Sequence, residues 1–392
     1  MKNILILTPT LELGGGAEKV AASLANVLSE NCNVFVATFY RNDAEYSLDE
    51  NITRVNHNES VGKNKLSKIK TFVKRIFFIK NIIFKNNITE TISFQEEANN
   101  TLLLTTTLFG DISKTYPCIH TSKITKLKRK VLYKLLNQST KTIVISKQMK
   151  KNYSQMGVNN TELIYNLFPV NDFIRLSSAG NWDETIETIW ENSSHKFVSV
   201  GRLIYPKAQW HLIKSFSVFV VKYPDARLFI FGQGGYQKEL ESLIINLDLQ
   251  ENIFLLGLKE NIFPYIKKAD ALLMSSYYEG LPTAIIESLA MATPVLSTDC
   301  ISGPREILAP DVDIDTVLKY PFITKHGVLV ETFKENVNFT TEINATEKQY
   351  AVAIEKIITI DFNKKSLYSR ALDFDTKNIV TQWKKLLTCD KT

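Results

Sequence analysis

Cysteine is scarce in this chain. Its four cysteines, Cys32, Cys118, Cys300 and Cys389, show none of the paired spacings of a zinc or redox site, and a reduced, cytoplasmic compartment is expected. Long apolar runs are missing too. Nothing approaches the roughly 18 residues a spanning helix needs, and the opening MKNILILTPT has too short an apolar run for a signal peptide; the chain is expected not to span a membrane, though it can lie on one. With 15 Gly and 11 Pro, no low-complexity tract and no internal repeat, fibrous and solenoid architectures drop out. No Asp-x-Asp pair follows a strand, where it would hold a metal ion. The one at Asp311 and Asp313 falls in 309–325, a stretch longer than a minimal connection that reads as an insertion, so no metal is expected.

Acid is nearly absent from one region. Residues 60–151 hold 19 Lys or Arg against 4 Asp or Glu, whereas the rest holds 28 against 37, so the net charge of +6 conceals a local excess. Within it, residues 61–87, VGKNKLSKIKTFVKRIFFIKNIIFKNN, read as a long basic helix. Lys70, Lys74 and Lys85 share one sector, Phe72, Ile76, Ile79, Ile83 and Phe84 spread over the opposite side, and Arg75 and Lys80 fall outside the pattern. A second basic stretch covers 123–134, KITKLKRKVLYK. Either alone fits a helix packed on a sheet with a solvated lysine face; two in one domain point to an anionic membrane surface. Nucleic acid is not expected, because no interleaved aromatic platform or reading motif accompanies the lysines.

What is present is an alternation of strand and helix long enough, at 392 residues, for two domains of about 150–200 residues each. Apolar strands such as VFVATF and ALLM require parallel sheets covered on both faces, an α/β chain with doubly wound sheets. The first domain is expected over 1–168, a polar linker over 169–195 and a second domain over 196–374, with a last helix in 375–392. NILILT, residues 3–8, leads through Gly14, Gly15 and Gly16 into a helix; contiguous glycines do not make a dinucleotide fingerprint, and they serve either a phosphate or close helix–strand packing. YPCIH, 116–120, reads as a strand whose C-terminal edge carries His120, the place in a doubly wound sheet that points into a ligand crevice; a structural or exposed histidine is the other reading.

The second half is organised around 275–307, SSYYEGLPTAIIESLAMATPVLSTDCISGPREI: a strand end, a Gly-Leu-Pro turn, a helix, a strand, and a Gly-Pro turn into another helix. Unpaired N–H groups at Leu281 to Ala284 attract phosphate. Glu279 before the turn and Glu287 within the helix are acceptor-only groups suited to sugar hydroxyls, so one acid on each side of a phosphate site could hold a nucleotide sugar. KFVSVGRL, 196–203, ends in Gly201 and Arg202 with Lys207 beyond it, and a guanidinium and an ammonium at a strand-to-helix turn can neutralise a departing diphosphate. Solvated surface charges are the alternative for all four residues.

The Glu279 to Glu287 run resembles the E-x7-E signature of the retaining glycosyltransferases of family four, bacterial envelope-polysaccharide branch, and the GPREI segment Gly303 to Ile307 and Gly201-Arg202-Leu203 with Lys207 match too. Ala208 stands where that family commonly has glycine after the lysine. The resemblance implies the GT-B fold, two Rossmann-like domains facing a cleft, with the last helix returning to the first domain. It implies that Glu279 contacts the donor hexose, Glu287 the ribose, and that Arg202, Lys207 and the amides of Gly280, Leu281, Pro282 and Thr283 border the diphosphate; proline itself has no N–H to give. It places Gly232 and Gly234 near the nucleotide, Leu258 at the base, His120 at the donor sugar, and Gly14 to Gly16 by the donor phosphate and acceptor. The implied reaction moves a hexose or N-acetylhexosamine from a nucleoside-diphosphate sugar, UDP first among bases, to a lipid-linked or polysaccharide acceptor, with no cofactor, at the inner face of the plasma membrane. A sugar-nucleotide epimerase of the same fold and a non-catalytic sugar-nucleotide-binding scaffold are the competing readings.

Overall fold

The structure, a computed structural model, describes residues 1–13, 16–57, 65–110, 112–120, 129–179 and 184–387. It divides into two compact units, Met1–Leu167 with Thr376–Thr392, and Phe168–Asp375.

Unit one contains β1 (Asn3–Thr8), α1 (Gly16–Ser29), β2 (Asn33–Thr38), β3 (Thr53–Asn56), α2 (Lys65–Lys85), β4 (Glu90–Phe94), α3 (Gln95–Phe109), β5 (Lys114–Ile119), α4 (Arg129–Gln138), β6 (Thr142–Val144), α5 (Lys147–Gln155) and β7 (Thr161–Leu163). Its sheet runs β3-β2-β1-β4-β5-β6-β7, every pair parallel. The period-two alternation of a strand puts Ile4 and Ile6 into one core with Ala21, Leu24 and Leu28 of α1. It puts Leu5 and Leu7 into another, with Ile79 and Ile83 of α2 and Leu102 of α3. Both faces are covered, which is why the strand reads as an unbroken apolar run.

Helix α2 departs from the amphipathic pattern expected for 61–87. Ile76, Ile79, Ile82 and Ile83 are buried, as the core requires, but Phe84 is exposed, as are Leu66, Ile69, Val73 and Phe77. Arg75, read as merely off the pattern, is buried: its guanidinium pairs with Glu97, donates to the Tyr40 hydroxyl at 2.5 Å and lies over the Phe39 ring at 4.5 Å. Hydrogen bonds and ring contact compensate its burial, so it is a structural residue. Residues 61–64, and 123–128 of the second basic stretch, lie outside the described residues. Among those described, no helix is long and apolar enough to cross a membrane.

Unit two opens with α6 (Val170–Ser177) and α7 (Glu184–Glu191), where the sequence suggested an exposed linker. Their apolar residues are spent on packing: Phe173 stacks on Phe263 at 4.7 Å, and Trp190 meets Phe229 at 4.6 Å. Then follow β8 (Lys196–Val200), α8 (Gln209–Val220), β9 (Arg227–Phe231), α9 (Gln237–Asn246), β10 (Ile253–Gly257), α10 (Phe263–Lys268), β11 (Ala271–Met274), α11 (Thr283–Ala290), β12 (Val295–Thr298), α12 (Pro304–Leu308), β13 (Phe322–Ile323), β14 (Gly327–Val330), α13 (Ala345–Ile357) and α14 (Lys364–Leu372). The sheet order is β10-β9-β8-β11-β12-β14-β13, parallel except for β13 on β14. The last helix, α15 (Thr376–Leu386), belongs to unit one, where Ile379, Val380 and Trp383 enter the core that holds Ile4 and Ile6.

Each sheet reverses its strand order once, between β1 and β4 in unit one and between β8 and β11 in unit two. Connections leave such a pair in opposite directions, which opens a crevice at the carboxyl ends of the two strands.

Candidate active site at the strand reversal of unit two

At the carboxyl end of β8 the chain passes through Gly201 and Arg202 into a single 3-10 turn, Tyr205–Lys207. At the carboxyl end of β11 it runs through Ser275 to Glu279. The reversal brings these segments side by side, and Lys207 Nζ lies 2.6 Å from Glu279 Oε1. The same oxygen accepts the Ser276 hydroxyl at 2.7 Å. Both members of the pair are mostly shielded, with 23% and 11% of their side chains exposed, so the attraction is screened less than at an open surface.

The backbone is stitched as tightly. Tyr277 N–H donates to Pro206 O at 2.8 Å, and the Ser275 hydroxyl to Lys207 O at 2.8 Å. A Cβ on Gly201 would sit 3.3 Å from Lys207 Cε, so the lysine stem lies across that glycine. Gly232, at φ +137°, and Gly234 bring the β9–α9 loop against this turn. A Cβ on Gly232 would stand 2.1 Å from Gly201 O, and one on Gly234 2.2 Å from Leu203 O. No larger residue fits either position without moving backbone.

Helix α11 begins at Thr283 with Pro282 as its N-cap and no side chain capping it; the Ile285 N–H donates to Pro282 O at 3.2 Å, and the Thr283 and Ala284 amides ahead of it, by position, have no intrahelical acceptor. Gly280 and Leu281 form the turn before it, held by the Ser302 hydroxyl donating to Gly280 O at 2.7 Å. Gly303, at φ +99°, packs its α-carbon against Pro282, where a Cβ would come within 2.2 Å of Pro282 Cδ. Glu306, buried, accepts the Gly303 N–H at 3.2 Å, so the GPREI segment braces the Gly-Leu-Pro turn. Glu287 is half-buried on the second turn of α11.

Arg202 is exposed on the same segment as Lys207, and among the described residues its guanidinium has no ion-pair partner. Leu258 follows β10 directly and is 70% exposed; Gly257 O beside it accepts the Gly232 N–H at 2.8 Å. Chemically, the reversal presents an ammonium, a guanidinium, a carboxylate and a helix N-terminus around one crevice end. That set suits an anion linked to a polyol.

Two expected residues belong to unit one. His120 directly follows β5, its ring 5.6 Å from that of Phe94. Its Nε2 is buried without a hydrogen-bond partner among the described residues, and burial lowers its pKa to about 4, so the imidazole is neutral near pH 7. Gly16 begins α1, while Gly14 and Gly15 lie outside the described residues. No group of three or more His, Cys, Asp or Glu among the described residues is placed to hold a metal ion.

The sequence reading overlooked the serines. Ser275, Ser276 and Ser302 hold the lysine turn, the carboxylate and the Gly-Leu-Pro turn respectively. The signal was there, in hydroxyls adjoining a glutamate and a glycine turn, but serine is too common in loops for position to single it out.

Comparison with known proteins places the same residues in a family context. The family model described as "Glycosyl transferases group 1" matches residues 186–371. An uncharacterized glycosyltransferase of Methanocaldococcus jannaschii is 34% identical over 278 residues, covering 68% of this chain and 67% of that protein. A Campylobacter jejuni α-1,4-N-acetyl-D-galactosaminyltransferase, named for the acceptor GalNAc-α-(1→4)-GalNAc-α-(1→3)-diNAcBac-PP-undecaprenol, is 24% identical and covers 99% of this chain and 98% of that protein. Among solved structures, Anabaena Alr3699/HepE in complex with UDP superposes with a TM-score of 0.73 at 17% identity, covering 99% of this chain and all of that one. At that identity the superposition speaks for the fold.

Proposed function

The chain belongs to the group 1 glycosyltransferases and is a glycosyltransferase of the GT-B fold class; on that premise we propose that it transfers a hexose or N-acetylhexosamine, with retention, from a UDP-sugar to a lipid-linked acceptor in cell-envelope glycan synthesis. The carrying observation is the Lys207–Glu279 contact beside the uncapped start of α11. The donor diphosphate lies at the first-turn amides, the ribose hydroxyls on Glu287 and the sugar against Glu279. As the bond from the anomeric carbon to the bridging oxygen breaks, Lys207 and Arg202 take up the growing negative charge. Electrostatic stabilisation of this kind gives the protein's own cations the task a metal would perform, so no metal enters the reading.

Among the described residues Glu279 is the one carboxylate assigned to the sugar in this arrangement, whereas a double displacement of the glycosidase kind uses a pair flanking the anomeric carbon. Departure and attack on the same face of the sugar is therefore the route proposed. His120 of unit one, neutral near pH 7 and with no hydrogen-bond partner for Nε2 among the described residues, has a hydrogen bond to offer a ligand hydroxyl. UDP is chosen because it occupies the structurally similar Anabaena protein, and a lipid-linked acceptor because the Campylobacter relative is named for one.

The exposed face of α2 supports docking on an anionic bilayer. Leu66, Ile69, Val73, Phe77 and Phe84 recur at intervals of a turn or two, with exposed Lys68, Lys70, Lys74 and Lys85 among them. Apolar side chains enter the headgroup boundary while lysines meet the lipid phosphates, an arrangement suited to an enzyme whose acceptor is held in lipid at the inner face of the plasma membrane.

The test is incubation of the purified protein with UDP-, GDP- and ADP-sugars, with and without a polyprenyl-diphosphate-linked acceptor. Retention of configuration in a product that forms only when acceptor is added supports the proposal. A rearranged sugar released from donor alone makes it an epimerase, and nucleotide binding without either product makes it a scaffold.

A further inference from the structure

Behind the lysine turn of unit two runs a chain of buried polar side chains that the proposed chemistry does not use. His211, in the first turn of α8, places Nδ1 2.6 Å from Glu347 Oε1 and Nε2 2.8 Å from the Tyr277 hydroxyl. The hydroxyl also lies 2.9 Å from Asn336 O and accepts the Asn336 N–H at 3.1 Å. Glu347, wholly buried, caps α13 by accepting the Asn344 N–H at 2.7 Å, and the buried Lys214 ammonium stands 3.9 Å from it. The imidazole is stacked on Phe333 with centroids 4.4 Å apart. Four segments, α8, the loop after β11, the loop around Asn336 and the start of α13, are thereby fixed to one another.

A buried polar chain is a costly way to fill a core, since apolar side chains of the same volume do so without desolvation. What it adds is a single geometry, because every hydrogen bond must be made at once. That geometry is passed to the turn carrying Lys207: the Tyr277 N–H holds Pro206 O at 2.8 Å, the Tyr277 ring packs on Tyr205 at 5.4 Å, and Ser275 two residues earlier holds Lys207 O. The turn needs such support. It ends at Ala208, whose φ of +49° is unfavourable for any residue with a Cβ.

We propose that Glu347, His211 and Tyr277 form a buried brace that sets the position of the Lys207 turn, making His211 and Tyr277 positioning residues for sugar transfer. The proposal rests on the functional reading above for its catalytic consequence, but the brace itself is a claim about the turn. With the tyrosine hydroxyl gone, His211 Nε2 and the Asn336 N–H lose their partner and Tyr277 is free to shift against Pro206. A lysine displaced by about 1 Å from a leaving oxygen costs on the order of 100-fold in rate. Nucleotide binding through Glu287 and the α11 amides is left intact.

The experiment compares Tyr277→Phe, His211→Gln and His211→Leu with Thr293→Val, which removes another buried hydrogen bond of unit two, from Thr293 to Ile266 O at 2.7 Å, far along the chain from the turn. Amide hydrogen exchange is followed over 203–208, and kcat and donor KM are measured with the UDP-sugar that the wild type uses. Expected for Tyr277→Phe are exchange at least about tenfold faster across that segment, kcat lower by about tenfold or more, and KM and UDP protection within about twofold of wild type. His211→Gln, whose amide can still reach the tyrosine hydroxyl, should retain more kcat than His211→Leu, and Thr293→Val should match wild type in both readouts. Exchange over 203–208 no faster in Tyr277→Phe and His211→Leu than in Thr293→Val overturns the brace, whatever the activity. Faster exchange with unchanged kcat overturns the positioning role. A wild type that transfers no sugar from any donor refutes the functional reading instead, and the exchange comparison still decides the brace.

Discussion

Lys207 Nζ and the Ser276 hydroxyl converge on one oxygen, Glu279 Oε1, at 2.6 and 2.7 Å. The carboxylate therefore holds the ammonium at the crevice, in the orientation that the proposed donor diphosphate would meet. Preorganised charge is the form of stabilisation that costs least at the moment of reaction.

Lys207→Met keeps the apolar stem across Gly201 and removes the charge. Turnover should fall about 100- to 1000-fold, with UDP affinity falling much less, as measured by steady-state kinetics and calorimetric titration. Equal losses in both would make Lys207 a binding residue rather than one acting on the leaving group.

The two glutamates should separate. Glu287→Ala is expected to weaken UDP binding, and Glu279→Ala to lower turnover chiefly. Thermal unfolding provides the check: ligand at 100 times its dissociation constant adds about 2.7 kcal/mol to stability. UDP should raise the Tm of wild type and of Glu279→Ala but barely that of Glu287→Ala, and NAD should shift none of them.

His120 makes stability depend on pH. Its pKa is lowered by burial from 6.5 to about 4, so the unfolded chain binds its proton first. The associated stability is complete above about pH 6.5 and is lost as pH falls toward 4, by on the order of 2 kcal/mol at pH 5. Urea unfolding at pH 7 and pH 5 should show this loss in wild type and a smaller one in His120→Phe; identical pH dependence would remove the histidine from the account.

Gly303→Ala tests the brace under the Gly-Leu-Pro turn. At φ +99°, with Pro282 Cδ 2.2 Å from the new methyl group, the turn must shift. A loss of about 1–3 kcal/mol in unfolding free energy is expected, together with weaker UDP binding.

Charge reversal on α2, Lys68, Lys70 and Lys74 each to Glu, should abolish sedimentation with vesicles containing phosphatidylglycerol, since each lysine near such a surface contributes about 1 kcal/mol. Wild type should bind these vesicles in a salt-dependent way and ignore neutral phosphatidylcholine. Retained binding by the triple variant would show that these lysines do not carry the attraction to the anionic surface.

Much of the fold was legible in the chain. Buried parallel strands must be apolar on both faces, so NILILT and ALLM announce doubly wound sheets, and glycine turns followed by helices place the carboxyl edges. Individual residues were read with mixed success. The polar run after Pro169 looked like a linker because Phe173, Ile186 and Trp190 are widely spaced in it, yet all three are buried. Phe84 was placed with the core-facing side of its helix, but Ile79, Ile82 and Ile83 take that face and Phe84, one residue on, is turned out to solvent.

The sequence by itself determined the alternation of elements, the family, and which residue types stand at the strand ends, because periodicity and local turn chemistry are properties of neighbours along the chain. Only the tertiary structure decided that Lys207 meets Glu279, 72 residues later, and that His211 reaches Glu347, 136 residues later. Those pairs are set by the strand order β8-β11 and by α13 packing on α8, and a charge or an imidazole carries no local mark of the partner that folding brings to it.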